Sequence, residues 1–420
     1  MSQTVTVIGG VNNTGSTGVV SIPVGLSSSQ AAGIQSVLTN ISNSIAASGT
    51  GLDNINVAGQ TGSVSGASIA GSSGVFELTN TGSTGITQAG SASVQTTVPA
   101  GYSTIVVQAP GAETVTGNGA SSITAVFGSQ SNVTFISPAG DNAASGTILG
   151  SGGDLLALRA GNYTVSLTGS NNNVIVGTGS DTINVTGTGA VNAFVGPKFA
   201  GTISFISSST SASTVTGVAG NVVAFGSVGG GSFEGGTGGP NALFGGSGVV
   251  TLIGAGSNSY LEAGYGNTSV SGDVLFAGSG NSTLVADAGA TNTILTAGSG
   301  FDSLVSNSTG LTNFFGGSGS ATMTGSTVAG AQNVYFFVSN ADPAKTFSGG
   351  SDVITNFTVG TDTLAASGAG LNIASITAGQ VSGQNAAIVS LSDGTSIKLL
   401  GVTSQQVQSL QGSVGTGIIV

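Results

Sequence analysis

The chain contains no cysteine, no histidine and no tryptophan, and only four of its 420 residues are Lys or Arg. Each gap removes chemistry. Without Cys there is no disulfide, no thiol redox centre and no iron–sulfur cluster. Without His the Ser-His-Asp and Cys-His nucleophilic systems are gone, and zinc, copper and haem sites lose their commonest ligand. Fifteen acidic residues against four basic ones give a formal charge of −11. That sign suits neither phosphate neutralisation nor attraction to an anionic bilayer, so nucleic acid is not an expected partner. No apolar run reaches the length of a membrane-spanning helix, and no membrane span is expected. Charged residues make up 5% of the chain, against roughly 25% in ordinary globular domains, so Ser, Thr, Asn and Gly must form most of the wetted surface. The only cations are Arg159, Lys198, Lys345 and Lys398. Asp154 and Arg159, five apart, read as an ordinary ion pair, and the expectation is a protein that is not an enzyme.

What is present is glycine, 75 residues of it, and a regular beat. Leu252, Leu261, Leu275, Leu284, Ile294, Leu304, Phe314 and Met323 follow one another at steps of 9 to 14 residues. Val165, Ile175, Ile183, Phe194, Val215, Val223, Phe233 and Leu243 extend the series upstream. Gly, Asn and Ser, the turn formers, separate these islands. A strand of a few residues cannot bury its apolar face alone, so a chain of equal short strands must stack them. The pattern predicts an all-β protein: a parallel β-solenoid of the β-roll or β-helix kind, with about two segments per coil and glycine at the corners. Three regions follow. Residues 1–100 form an N-terminal region with one amphipathic helix over about 27–47, where Ile34, Val37, Leu38, Ile41 and Ile45 share a face. Residues 100–330 form the solenoid body, and residues 331–420 a C-terminal β cap and secretion-signal domain.

Three segments read Gly-x-Gly-x-Asp-x-apolar: Gly150-Ser-Gly152-Gly-Asp154-Leu-Leu156, Gly177-Thr-Gly179-Ser-Asp181-Thr-Ile183 and Gly298-Ser-Gly300-Phe-Asp302-Ser-Leu304. They resemble the calcium-binding nonapeptide repeat of the RTX family. The resemblance implies Asp154, Asp181 and Asp302 as candidate calcium ligands, and Ca2+ is then a cofactor the chain admits without requiring one; an adhesin would use the same three, with Asp273 or Asp287, on an exposed edge. The pattern is degenerate. Val250, Asn258, Thr268, Ser282 and Ala321 stand where other repeats have Asp. With two nine-residue halves per coil, Asp154 and Asp181 fall on opposite edges; Asp181 stacks on Tyr163 and Phe199, and Asp302 on Leu284 and Ser320. The competing reading makes each Asp a turn residue with local hydrogen bonds.

The run Gly349-Gly-Ser-Asp352-Val-Ile-Thr-Asn-Phe357-Thr-Val-Gly360-Thr-Asp362-Thr-Leu364 is similar to the pattern that ends many RTX-type substrates of type I secretion. This resemblance implies the type I secretion machinery as a partner and a C-terminal export signal. The first ten residues hold no basic residue and no long apolar core, so they do not read as a Sec or Tat signal. The same run also reads as a hairpin, with Phe357 in a core and Asp352 and Asp362 capping turns. Together these readings predict a bacterial protein of the cell surface or extracellular space: a self-assembling structural component of a biofilm matrix, filament or S-layer. Its partners are then further copies of itself as homo-oligomer or polymer, with cell-surface polysaccharide a further candidate. The alternative is a calcium-dependent RTX-type adhesin or carbohydrate-binding protein.

Overall fold

The computed structural model describes residues 145–197, 201–339 and 350–410, apart from 257, 267–268 and 369–370, and outside these spans chiefly individual strands. The helix expected over 27–47 lies outside the described residues. Two compact units divide the chain, Met1–Thr214 and Val215–Val420.

In the first unit consecutive strands alternate between two sheets. Leu155–Ala160 pairs in parallel with Ser131–Ile136 on one side and Asn172–Thr178 on the other. Asn162–Leu167, next in the chain, pairs instead with Ser145–Gly150 and Asp181–Val185 in the other sheet. Each strand thus bonds to the strands two places before and after it, which is a parallel β-solenoid with two strands per coil. The same rule already joins Asp53–Asn56 to Val75–Thr79.

The second unit obeys it too. Asn241–Phe244 lies between Asn221–Phe225 and Ser259–Ala263 in one sheet, and Val250–Ile253 between Gly231–Glu234 and Val274–Phe276 in the other. At its C-terminal end parallel pairing gives way to antiparallel. Ser396–Leu400 pairs in parallel with Ser351–Thr355 and antiparallel with Gln384–Leu391, which is itself antiparallel to Ile373–Val381. In the other sheet Thr363–Gly368 receives Gly417–Ile419 in antiparallel fashion. This is the expected β cap. It carries a short helix, Ser404–Leu410, with Val407 buried, that the sequence reading missed. Its signal was a capping box, Thr403-Ser-Gln-Gln406: Thr403 N donates to Gln406 Oε1 at 2.9 Å and Gln406 N to Thr403 Oγ1 at 3.3 Å.

Burial alternates with a period of two, as in strand Asp181–Val185. One sheet of the second unit stacks Leu243, Leu261, Leu284, Leu304, Met323 and Ile354 coil upon coil, all fully buried. The facing sheet stacks Phe233, Leu252, Leu275, Leu295 and Phe314. Each such side chain contributes about 1.5–3 kcal/mol by leaving water. Four expected ladder positions face the other way: Ile175, Phe194, Val223 and Ile294 are outward, and Val174, Ala193, Val222 and Leu295 fill the interior instead. Apolar residues occur on both faces of these strands, so a ten-residue beat does not fix which parity is buried. Coil length also varies: Ser145 faces Asn162 and Thr251 faces Val274, offsets of 17 and 23. Among the described residues no helix is long and apolar enough to cross a membrane.

Candidate functional site: carboxylates at the coil corners

The Gly-x-Gly-x-Asp segments sit at corners, where one strand of a coil ends and the next begins. Asp154 precedes strand Leu155–Ala160, and Asp181 opens strand Asp181–Val185 of the opposite sheet. Asp302 belongs to the second unit, near the start of Phe301–Ser306. Glycine serves two needs here. Gly179 has a φ of +131°, and a Cβ on Gly298 would fall on the carbonyl oxygen of Gly278, one coil earlier.

All three carboxylates are turned inward: Asp154, Asp181 and Asp302 are 0%, 3% and 4% exposed. One oxygen of each accepts a backbone N–H from the matching position of the preceding coil. Val133 N donates to Asp154 at 3.0 Å, Tyr163 N to Asp181 at 2.7 Å and Ser282 N to Asp302 at 2.8 Å. In two of them the second oxygen reaches back to its own turn, where Ser151 N donates to Asp154 Oδ2 at 3.1 Å and Gly298 N to Asp302 Oδ2 at 2.7 Å. Three further acids repeat the device: Asp273 accepts Val250 N at 2.8 Å, Asp352 accepts Ala321 N at 2.7 Å, and Asp362 accepts Asn333 N at 3.3 Å, together with the Asn333 side-chain amide at 2.9 Å. Asn fills the role as well, Asn172 accepting Asp154 N at 3.0 Å and Asn241 accepting Val222 N at 2.9 Å. The Asn positions carried no motif that would have singled them out.

The register gives the departures from the repeat a physical meaning. Ser282, Asp302, Ala321 and Asp352 are successive members of one corner column, so a carboxylate alternates with a residue that is not one. Val250 stands one coil before Asp273 in the same relation. These non-acidic residues supply the N–H that the next coil's Asp accepts. Two buried carboxylates on adjacent rungs, about 4.8 Å apart, would repel each other strongly. The expected stacking of Asp302 on Leu284 and Ser320 is therefore corrected to Ser282 and Ala321, and that of Asp181 on Phe199 to Ile203, with Tyr163 retained. The cause is coil length, 19 to 22 residues in those three steps instead of 18.

Other sequence readings resolve in the same frame. Asp154 points into the stack and Arg159 is exposed, so the two do not pair. Ser351–Thr355 and Thr363–Gly368 lie in opposite sheets, so the run around Phe357 is not a hairpin, although Phe357 is buried and Asp362 Oδ2 does cap its turn by accepting Thr358 N at 2.9 Å. Asp287 is half-buried, near Glu262. Thr268 lies outside the described residues. The described residues contain no cluster of three or more Asp or Glu of metal-binding size, and the candidate ligands occupy separate corners.

Burial raises the proton affinity of these corners. It pushes the carboxyls of Asp154, Asp181 and Asp273 up to about 6 and that of Asp352 to about 7, while the accepted backbone N–H groups pull the other way. Asp302 is raised by the same cause. Asp352 Oδ2 is buried with no hydrogen-bonding partner, as is Thr293 Oγ1, one coil beyond Asp273. Asp273 Oδ2 makes no hydrogen bond of normal geometry, although the Gly264 N–H lies near enough to its carboxyl to lower its proton affinity. Chemically the arrangement fastens each coil to the one before it and makes the fastening sensitive to protons.

No protein-family model matches the chain, and neither a curated protein nor a solved structure matches it.

Proposed function

We propose that the protein is a secreted, self-assembling structural component of the bacterial cell exterior, a constituent of a biofilm matrix, filament or S-layer. One observation carries this reading: its inward-turned acids are engaged in holding coil to coil through backbone N–H groups. The uncharged polar surface of Ser, Thr and Asn suits a body that persists across changes of salt and redox potential. The resemblance of residues 349–364 to the ends of type I secretion substrates supports export by that route, and the repeats then read as a degenerate RTX series. Negative-stain microscopy of the culture surface, with antibody against this chain, tests the proposal. Labelled fibres or a lattice are expected. Purified protein that stays monomeric by light scattering at high concentration, with and without calcium, would refute it.

A second reading, a carbohydrate-binding adhesin, has its own support on the outer face of the second unit. Phe225 and Phe244 stack at 4.6 Å between centroids, Tyr265 stands edge-on to both, and Tyr260 donates its hydroxyl to Glu262 Oε2 at 2.9 Å. Tyr260 and Tyr265 are exposed, offering ring surface beside a carboxylate. Affinity electrophoresis in neutral polysaccharides, with Tyr265→Ala as control, separates the two readings.

A further inference from the structure

The C-terminal cap ends in a sheet edge of unusual character. Strand Ile373–Val381 is nine residues long and, among the described residues, pairs with one neighbour only, Gln384–Leu391. The hairpin joining them turns on Ser382 and Gly383, with φ of 50° and 82°, a two-residue turn that holds the strands in tight register. No residue of the outer strand is buried; Ala374, Ser375, Thr377, Ala378 and Gln380 are exposed, and the other four are half-buried. Nor is there a charge or a proline anywhere from Asn372 to Ser392, in a chain whose net charge is −11.

Natural sheets blunt such an edge with Lys, Pro, bulges or a covering element, because an open row of N–H and C=O groups is a template for another strand. Here the protection is slight. A bulge marks only the start of the strand, between Ile373 and Ser375, and Gln408 Nε2 of the short helix donates to the Ile376 carbonyl at 3.3 Å.

We propose that this edge pairs with the same edge of a second copy, antiparallel about a two-fold axis near Thr377, the middle residue of the strand. Three features select a second copy. Antiparallel self-pairing is satisfied by two-fold symmetry without any further complementarity. Two chains of the same net charge approach most easily where neither carries charge, and this stretch is such a place. The exposed side chains are small, so a neighbouring strand meets Ala, Ser and Thr. Pairing over nine residues adds about eight hydrogen bonds across the junction. This inference rests on the assembly reading and names one of its contacts.

The absence of native cysteine makes the test clean. In the full chain, Thr377→Cys places two thiols opposite each other across the axis, within the range of about 4.5–5.5 Å between directly opposed Cβ atoms. Mild oxidation is expected to give a covalent dimer, with the exposed Ser180→Cys as control that does not. In sedimentation experiments Thr377→Lys is expected to weaken self-association at least about tenfold, by setting like charges face to face. Circular dichroism confirms that each variant folds. If wild-type protein associates but Thr377→Lys associates equally and Thr377→Cys cross-links no faster than the control, this contact is wrong and the assembly reading stands. If wild-type protein stays monomeric throughout, both fail.

Discussion

Replacing Asp273 by Asn should stabilise the second unit at pH 8 and leave it unchanged at pH 4. The wild-type carboxyl is fully buried and accepts Val250 N through Oδ1; the Gly264 N–H lies close enough to lower its proton affinity, although Oδ2 makes no hydrogen bond of normal geometry. Burial moves it from 3.8 to about 6, and at about 1.4 kcal/mol per pH unit its ionised form costs the folded state about 3 kcal/mol. The sign follows from linkage. The folded carboxyl holds its proton more tightly than the unfolded one, so its contribution is fully present below pH 3.8 and is lost as the pH rises through about 6. The amide keeps an oxygen for Val250 N and places its NH2 where Oδ2 made no hydrogen bond of normal geometry, with the unpartnered Thr293 Oγ1 one coil away; it gives up only the weaker attraction to the Gly264 N–H. Asn172 and Asn241 already do this work elsewhere. For a unit of this size 1 kcal/mol moves the midpoint by about 2–4 °C, so the variant should melt roughly 6–12 °C higher at pH 8. Thermal unfolding followed by far-ultraviolet circular dichroism, at fixed ionic strength, measures both arms. A variant less stable than wild type at pH 8, or one that retains the wild-type slope between pH 4 and 8, would refute the reasoning.

Asp302→Ala should cost about 2–4 kcal/mol in denaturant unfolding, because Ser282 N and Gly298 N lose their acceptor together; a loss below about 0.5 kcal/mol would show that the bracket is dispensable. Gly298→Ala should cost at least about 2 kcal/mol, since the added carbon meets the Gly278 carbonyl oxygen and backbone must shift. A neutral result would mean the corner is looser than described. Millimolar calcium against chelator should leave the melting midpoint within about 1 °C, because the oxygens of Asp154 and Asp302 already accept N–H groups; a large rise would favour the calcium-dependent adhesin.

Much of the fold is legible in the chain because stacking short strands is the only way to bury islands spaced like Leu284, Leu304 and Met323. Which face those islands present is less legible. At Ile294 and Leu295 the two candidates are adjacent, equally apolar and of opposite orientation, and only the register with Leu275 and Phe314 decides for Leu295. The corner chemistry was hidden for a related reason. Its partners sit one coil apart, and a coil is 20 residues between Ser282 and Asp302 but 31 between Ala321 and Asp352. No fixed spacing in the sequence connects them. The short helix after Thr403 was written in a capping box but lacks the long apolar stripe by which helices are usually found.

A corner column of this solenoid faces a constraint that its apolar ladders do not. Each coil must take up backbone N–H groups left at the bend, and in a dry interior those groups need an acceptor within one rung. A carboxylate offers the most acceptor capacity, yet a second one on the next rung would repel it at low dielectric. Alternation resolves the conflict: Asp302 serves Ser282, Asp352 serves Ala321, and no two acids are neighbours in that column. The cost remains in the raised proton affinity of the corners, about 7 at Asp352, where Lys398 lies close enough to offset part of the burial. With Ser282 and Ala321 on the rungs between them, Asp302 and Asp352 are buried without a second carboxylate one coil away.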